Sequence, residues 1–266
     1  MSYLQTPRGL NWYYETHGEG ETLLFIHGFG TSQCLWVDQV KHFSTGFHVV
    51  TIDLPGHGQS DWQDVDLNDM AIDIKFILEQ LDLHQVNVVA SSFGGLVTLK
   101  LYKVCPEKLQ RVSFVGALPK FARCDNYPAG LDIERIHTLS NQFDGDYATI
   151  LDIFFRSLFS KQDRESERFQ WIKQVHKNDV IPRREALKKF LDILEHEDLR
   201  NILANLQYRV QFINGTEDYI CTMEIMQWLE NVVVHGRFDY IQGTGHFPFL
   251  TQPQKFNELL EEFLTA

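Results

Sequence analysis

The chain has little positive charge, few cysteines and no long apolar run, and each shortage excludes a class of function. Of its 266 residues only 24 are Lys or Arg, against 36 Asp or Glu, for a net charge of −12. Nucleic-acid phosphates demand a basic face, so no nucleic-acid partner is expected. The same balance disfavours adsorption to an anionic membrane. No apolar stretch approaches the roughly 20 residues of a membrane-crossing helix. Met1 to Arg8 carry no charged-then-apolar leader pattern, so a cytoplasmic protein is expected. Cys34, Cys105, Cys124 and Cys221 stand without C-x-x-C or metal-ligand spacing, which predicts free buried thiols in a reducing compartment and no metal site. There is no internal repeat and no low-complexity linker.

What the chain does have is a hydrophobic content of 44% and an aromatic content of 13%, enough for one large α/β domain or a core with an insertion. Its most telling stretch is Val86-Asn87-Val88-Val89-Ala90-Ser91-Ser92-Phe93-Gly94-Gly95. A β-branched run ends in a serine and glycines, and helix-like spacing follows. That is the pattern of a nucleophile elbow, a strained strand-to-helix turn with the serine at its apex. The residues two before and two after the nucleophile must be small. Ala90 and Gly94 satisfy this for Ser92, whereas Ser91 would have Phe93 in the second position.

A serine needs partners to become a nucleophile. In this chain order an acid and then a histidine should each follow a later strand. Val210 to Ile213 leads into Asn214-Gly215-Thr216-Glu217-Asp218, and Phe238 to Ile241 leads into Gln242-Gly243-Thr244-Gly245-His246. Asp218 is the candidate acid, with Glu217 beside it as an alternative. His246 is the candidate base among 11 histidines. Strand ends are where a parallel sheet presents its site. Upstream, the apolar run Thr22 to Ile26 exits through His27-Gly28-Phe29-Gly30. The backbone N–H groups of Phe29 and Phe93 are the expected oxyanion donors.

Strand and helix patterns alternate up to Val115, which predicts a mostly parallel sheet covered on both faces. From about Pro119 to Arg200 only helical spacing is found: Ile133 to Leu139, Tyr147 to Phe159, Arg164 to Val175 and Arg184 to Glu195. The expected organisation is a core over residues 1–118, an inserted helical cap over 119–200, and the rest of the core over 201–266, closing on a helix from Pro253 to Leu264. Between Lys161 and Lys189 nine Lys/Arg face five Asp/Glu, a local charge of +4 that leaves −16 for the remainder. Such a run is usually a solvated face, but a basic lid on an acidic body also suits an acidic macromolecular substrate. Phe154, Phe155, Leu158 and Phe159 form an apolar stripe suited to packing the cap, to lining a substrate channel, or to both.

These residues together resemble the α/β-hydrolase superfamily over nearly the whole chain. Within it the resemblance is to the biotin-pathway esterases that demethylate pimeloyl-[acyl-carrier protein] methyl ester. It is carried by His27-Gly28-Phe29-Gly30, Asp53-Leu54-Pro55-Gly56-His57-Gly58-Gln59-Ser60 and Ser92-Phe93-Gly94-Gly95-Leu96-Val97. Asp198-Leu199-Arg200 with Leu203 and Asn205, and His246-Phe247-Pro248-Phe249 with Pro253 and Phe256, add to it. The resemblance implies a catalytic triad of Ser92, Asp218 and His246. It also implies an acyl pocket formed by Phe29, Phe93 and the segment Phe154, Phe155, Arg156, Ser157 and Leu158, and docking of an acidic acyl-carrier protein on cap residues Lys161, Arg164 and Arg168. Ala90 departs from the elbow's usual glycine, Phe29 and Phe93 replace other large apolar residues, and Arg164 and Arg168 fall into register only across a short gap.

The expectation is a monomeric serine carboxylesterase that forms an acyl-enzyme and needs no metal or organic cofactor. Its expected substrate is a small-molecule or acyl-carrier-protein-linked ester, and the resemblance implies pimeloyl-[acyl-carrier protein] methyl ester in biotin synthesis. A general short-chain esterase for free esters is the alternative, and a non-catalytic ligand-binding protein on the same fold is the alternative from another class. Position 92 holds no aspartate, so haloalkane dehalogenation and epoxide hydrolysis are not expected.

Overall fold

The computed structural model describes residues 2–266. Its centre is one sheet of eight strands: β1 (Ser2–Gln5), β2 (Asn11–His17), β3 (Glu21–Ile26), β4 (Phe47–Ile52), β5 (Val86–Ser91), β6 (Leu109–Val115), β7 (Arg209–Gly215) and β8 (Arg237–Ile241). The spatial order is β1-β2-β4-β3-β5-β6-β7-β8. β1 and β2 run antiparallel at one edge, and β4, β3, β5, β6, β7 and β8 are mutually parallel. β5 is buried at all six positions and β3 at five of six. Strands covered on both faces read as continuous apolar runs rather than alternating ones, which is why these two stood out in the sequence.

Helices α1 (Val37–Phe43), α2 (Leu67–Gln80) and α3 (Phe93–Val104) connect the first strands. Asp66 and Asp69 close a reciprocal capping box at the start of α2, and Met70, Ile74, Ile77 and Leu78 supply its buried face at helical spacing. Between β6 and β7 the chain adds no strand to the sheet. It forms α4 (Ile133–Gln142), α5 (Tyr147–Ser157), α6 (Lys161–Glu165), α7 (Arg168–Asn178), α8 (Arg184–His196) and α9 (Arg200–Leu203). The helix expected from Arg164 to Val175 is two. Ser160 and Asp163 cap α6, which ends at Ser166 in extended backbone with its hydroxyl on the Asp163 carbonyl. The last helices are α10 (Met223–Val232), α11 (Pro248–Thr251) and α12 (Pro253–Thr265).

Sheet and cap share one hydrophobic core, in which Leu151, Phe155, Leu187 and Phe190 of the cap join the strand residues. The thiols are free, but only Cys105 and Cys221 are buried. Cys34 and Cys124 are half-buried. Among the described residues no helix is long and apolar enough to cross a membrane.

Candidate active site

Ser92 sits between the last residue of β5 and the first of α3, with φ +51° and ψ −115°. A non-glycine residue at positive φ is strained by about 1–3 kcal/mol and persists only where its surroundings enforce it. Here the Ser92 N–H donates to the Val115 carbonyl at 2.9 Å, and its own carbonyl accepts from Gly95 at 2.9 Å. Gly94 allows the close approach. A methyl group there would lie 2.6 Å from the His27 carbonyl oxygen and 2.8 Å from that of Ile26. Ala90, two residues before, is fully buried between Ile26 and Phe114 of the neighbouring strands.

His246 Nδ1 lies 2.7 Å from Asp218 Oδ2, and the two side chains are almost wholly buried. The other carboxylate oxygen accepts from the backbone N–H groups of Ile220 at 2.8 Å and Cys221 at 3.1 Å. With its carboxylate so held, Asp218 accepts from Nδ1–H and leaves Nε2 as the nitrogen free to take a proton. Glu217, the alternative acid, is exposed and joins the loop only through its backbone N–H. Gly116, at φ +53°, makes room for the imidazole: a methyl group there would stand 3.0 Å from Nδ1. Ser92 and His246 line the same cavity.

Two further histidines build the turn at Phe29. Leu54 N–H donates to His27 Nε2 at 2.8 Å, so the proton is on Nδ1, which donates to the Gly28 carbonyl at 2.8 Å. Gly30 N–H donates to His57 Nε2 at 3.3 Å, and His57 Nδ1 donates to the Pro55 carbonyl at 3.1 Å. Burial holds both rings neutral, His27 pulled down to about 3 and His57 to about 4. The resulting turn presses on the elbow, since a methyl group on Gly28 would be 3.0 Å from Ser92 Cβ. Phe29 follows Gly28 in this turn, and Phe93 follows Ser92 in the elbow. The sequence offered a signal for the two locking histidines, in His27-Gly28 and Gly56-His57-Gly58, but not their tautomers.

The cavity above Ser92 has a volume of about 390 Å³, within the range of small-molecule sites. Phe29, Phe154 and Leu158 line it as expected by resemblance. Phe93, Phe155, Arg156 and Ser157 do not. The Phe93 ring is buried against Phe190, and Phe155 stacks on His176 at 3.8 Å. Arg156 points outward to Asp152 at 2.6 Å, and Ser157 Oγ donates to the Phe154 carbonyl at 2.6 Å. A five-residue run on a helix turns through all faces, so only Phe154 and Leu158, four apart, share the cavity side. Ile136 and Leu139 of α4, Leu191 and Leu194 of α8, and Phe121 and Phe247 add apolar wall, and Asp132, Glu134, Arg135 and Gln142 add polar groups. The apolar spacing of α4 and α8 was legible; which face meets the site was not.

The three basic residues expected at a docking face are unlike one another. Lys161 is exposed and 3.8 Å from Glu165. Arg164 donates to the Phe159 carbonyl at 2.7 Å, and Arg168 donates to the Leu250 carbonyl, pairs with Asp38 and lies over the Trp171 ring. Both guanidinium groups tie parts of this chain together.

Asp218, Cys221 and His246 are near enough to one another to be weighed as metal ligands. The set does not suit a cation. Burial and the Asp218 charge push the Cys221 thiol up, so it stays protonated, and the facing Asp218 and His246 atoms already bond to each other.

The alpha/beta hydrolase fold family model matches residues 21–253. A pimeloyl-[acyl-carrier protein] methyl ester esterase of Nitrosomonas europaea is 27% identical over 244 residues, covering 92% of this chain and 96% of its own. An (E)-2-((N-methylformamido)methylene)succinate hydrolase of Acinetobacter baylyi is 27% identical over 267 residues, covering 98% and 97%. Among solved structures, an esterase from Exiguobacterium antarcticum superposes with a TM-score of 0.91 at 24% identity, over 100% of this chain and 99% of that one. With its parallel sheet, strained serine turn and family match across most of its length, the chain belongs to the alpha/beta hydrolase fold family.

Proposed function

We propose that this protein is a serine carboxylesterase whose substrate carries an apolar acyl chain. The observation that carries the reading is that the strained Ser92 and His246, the latter bonded to the buried Asp218, open onto one largely apolar cavity. In the proposed reaction Ser92 Oγ attacks the ester carbonyl carbon while His246 Nε2 takes its proton. Negative charge on the carbonyl oxygen is met by the N–H groups of Phe29 and Phe93, each such donor being worth roughly 3 kcal/mol. Collapse of the tetrahedral species expels the alcohol, protonated by His246. Water, deprotonated by the same nitrogen, then attacks the acyl-enzyme and releases the acid and Ser92.

The relatives named as pimeloyl-[acyl-carrier protein] methyl ester esterases support the finer reading, a methyl ester of a medium acyl chain on a carrier protein. The internal engagement of Arg164 and Arg168 favours a second reading, a small free ester that needs no protein docking. Turnover of p-nitrophenyl esters by wild type and by Ser92→Ala, with fluorophosphonate labelling of Ser92, tests the chemistry. Wild-type turnover and labelling, both abolished in the variant, are expected; retained turnover in Ser92→Ala overturns the reading. Comparing kcat/KM for carrier-linked and free methyl esters across ionic strength separates the two substrates. A steep loss with salt, confined to the carrier-linked ester, is the signature of docking.

A further inference from the structure

Three hydrogen bonds tie the loop that carries His246 to the cap. Gly245 N–H donates to Asp163 Oδ2 at 2.7 Å, His246 N–H donates to the Leu158 carbonyl at 2.8 Å, and the Ser160 hydroxyl donates to the Gly243 carbonyl at 2.6 Å. The fit is close, since a methyl group on Gly245 would stand 2.8 Å from Ser160 N and 3.0 Å from Phe159 Cα.

Asp163 stands apart from an ordinary helix cap. Capping residues sit at exposed helix starts, but this carboxylate is only 5% exposed. Its Oδ2 accepts from Ser160 N–H at 2.9 Å within the α6 capping box and, in addition, from Gly245, 82 residues further along the chain. One carboxylate oxygen thus holds the start of α6 and the histidine loop together. The residue it holds is the immediate neighbour of His246.

The same cap segment faces the substrate cavity. Phe154 and Leu158 line it. Ser157 gives its own proton to the Phe154 carbonyl, so Tyr219 O–H is the donor in the 2.9 Å contact between the two hydroxyls. Tyr219 follows Asp218 directly. The turn from Phe154 to Asp163 therefore touches the acyl cavity, the acid loop and the histidine loop.

We propose that Asp163 is a positioning residue for His246: it sets the height of the histidine loop above Ser92, so that seating of the cap and alignment of the imidazole are one event. This rests on the esterase reading above, with Ser92 and His246 as its reacting groups.

The test compares Asp163→Ala, Asp163→Asn and Ser166→Ala, the last removing a hydrogen bond from the end of α6 without touching the loop at His246. With a p-nitrophenyl ester, Asp163→Ala is expected to lower kcat by about 10- to 100-fold, the scale of a roughly 1 Å misplacement, with KM within about two-fold. Asparagine keeps an acceptor in place, so Asp163→Asn should recover most of that loss but remain several-fold below wild type. Ser166→Ala should keep wild-type kcat even where its melting temperature falls. An unchanged kcat in Asp163→Ala overturns the inference, and so does an equal kcat loss in Ser166→Ala at equal destabilisation. If the alanine variant does not fold, an unchanged kcat in Asp163→Asn overturns it alone. Absence of wild-type turnover and of Ser92 labelling would instead overturn the esterase reading.

Discussion

Phe190 of the cap lies flat on Phe93, the residue after the elbow serine, with ring centroids 4.0 Å apart and planes 5° from parallel. The other neighbour of Phe190 is His57, stacked at 4.6 Å, whose Nε2 holds Gly30 in the turn beyond Phe29. One cap side chain thus packs directly on the Phe93 segment and braces the Phe29 turn through His57. The side chain of Phe93 is given to this packing, while its N–H has the oxyanion role proposed above.

Phe190→Ala should therefore reach activity as well as stability. Truncating a buried Phe costs about 3–5 kcal/mol. A urea titration should show a lower midpoint at unchanged slope. Acylation of the remaining folded protein should also be slower, because neither oxyanion segment is braced; a wild-type acylation rate would show that they are fixed without the cap.

Asp218→Asn should keep the fold and lose the chemistry. The amide oxygen can still accept from Ile220 and Cys221, but the NH₂ group then faces His246 Nδ1 and favours the tautomer with its proton on Nε2. A base in the wrong tautomer loses about 10⁴-fold in kcat. Steady-state kinetics with an intact far-UV spectrum would check this, and Glu217→Gln, at an exposed position, should leave kcat unchanged.

His57 should shape the acid side of stability. Folded, it titrates at about 4 because burial disfavours the charged ring; unfolded, a histidine titrates near about 6.5. Between these values the unfolded chain binds a proton that the folded chain refuses, so stability falls as pH drops. His27, at about 3, acts in the same sense, and Asp53, raised to about 7 by burial, in the opposite one. The stability advantage of wild type over His57→Gln should then be greatest above pH 6.5 and shrink by about 1.4 kcal/mol per pH unit toward pH 4. Denaturant titrations at several pH values check it; a constant difference would mean that His57 is not neutral when folded.

Leu139→Trp should shorten the acyl cavity. Leu139 lines its wall from α4 and is half-buried, so a larger side chain can project inward. Losing room for even a few methylenes, each worth about 1–3 kcal/mol in a fitted pocket, should cut kcat/KM for octanoyl more than for acetyl p-nitrophenyl esters. Equal losses for both would place the acyl chain elsewhere.

The sequence alone determined the sheet strands around the site, the elbow at Ser92 and the chain order of Asp218 and His246. These are local signals: β-branched runs, small residues where backbones must touch, and turn formers at strand ends. It left Asp218 and Glu217 as alternatives, because neighbouring residues in a turn carry the same chemistry. Only folding decided between them, by burying one against His246 and exposing the other. Tertiary structure also decided which helix faces line the cavity. Phe155 and Phe93 have the right character but the wrong direction, and Ile136 and Leu191 reach the site only because α4 and α8 lean on it. Arg168 looked like surface charge, since nothing in local sequence shows that it meets Asp38, 130 residues away, and Leu250, 82 residues away. Periodicity reports that a face is apolar or charged; what that face meets depends on contacts between distant segments, which only the closed fold provides.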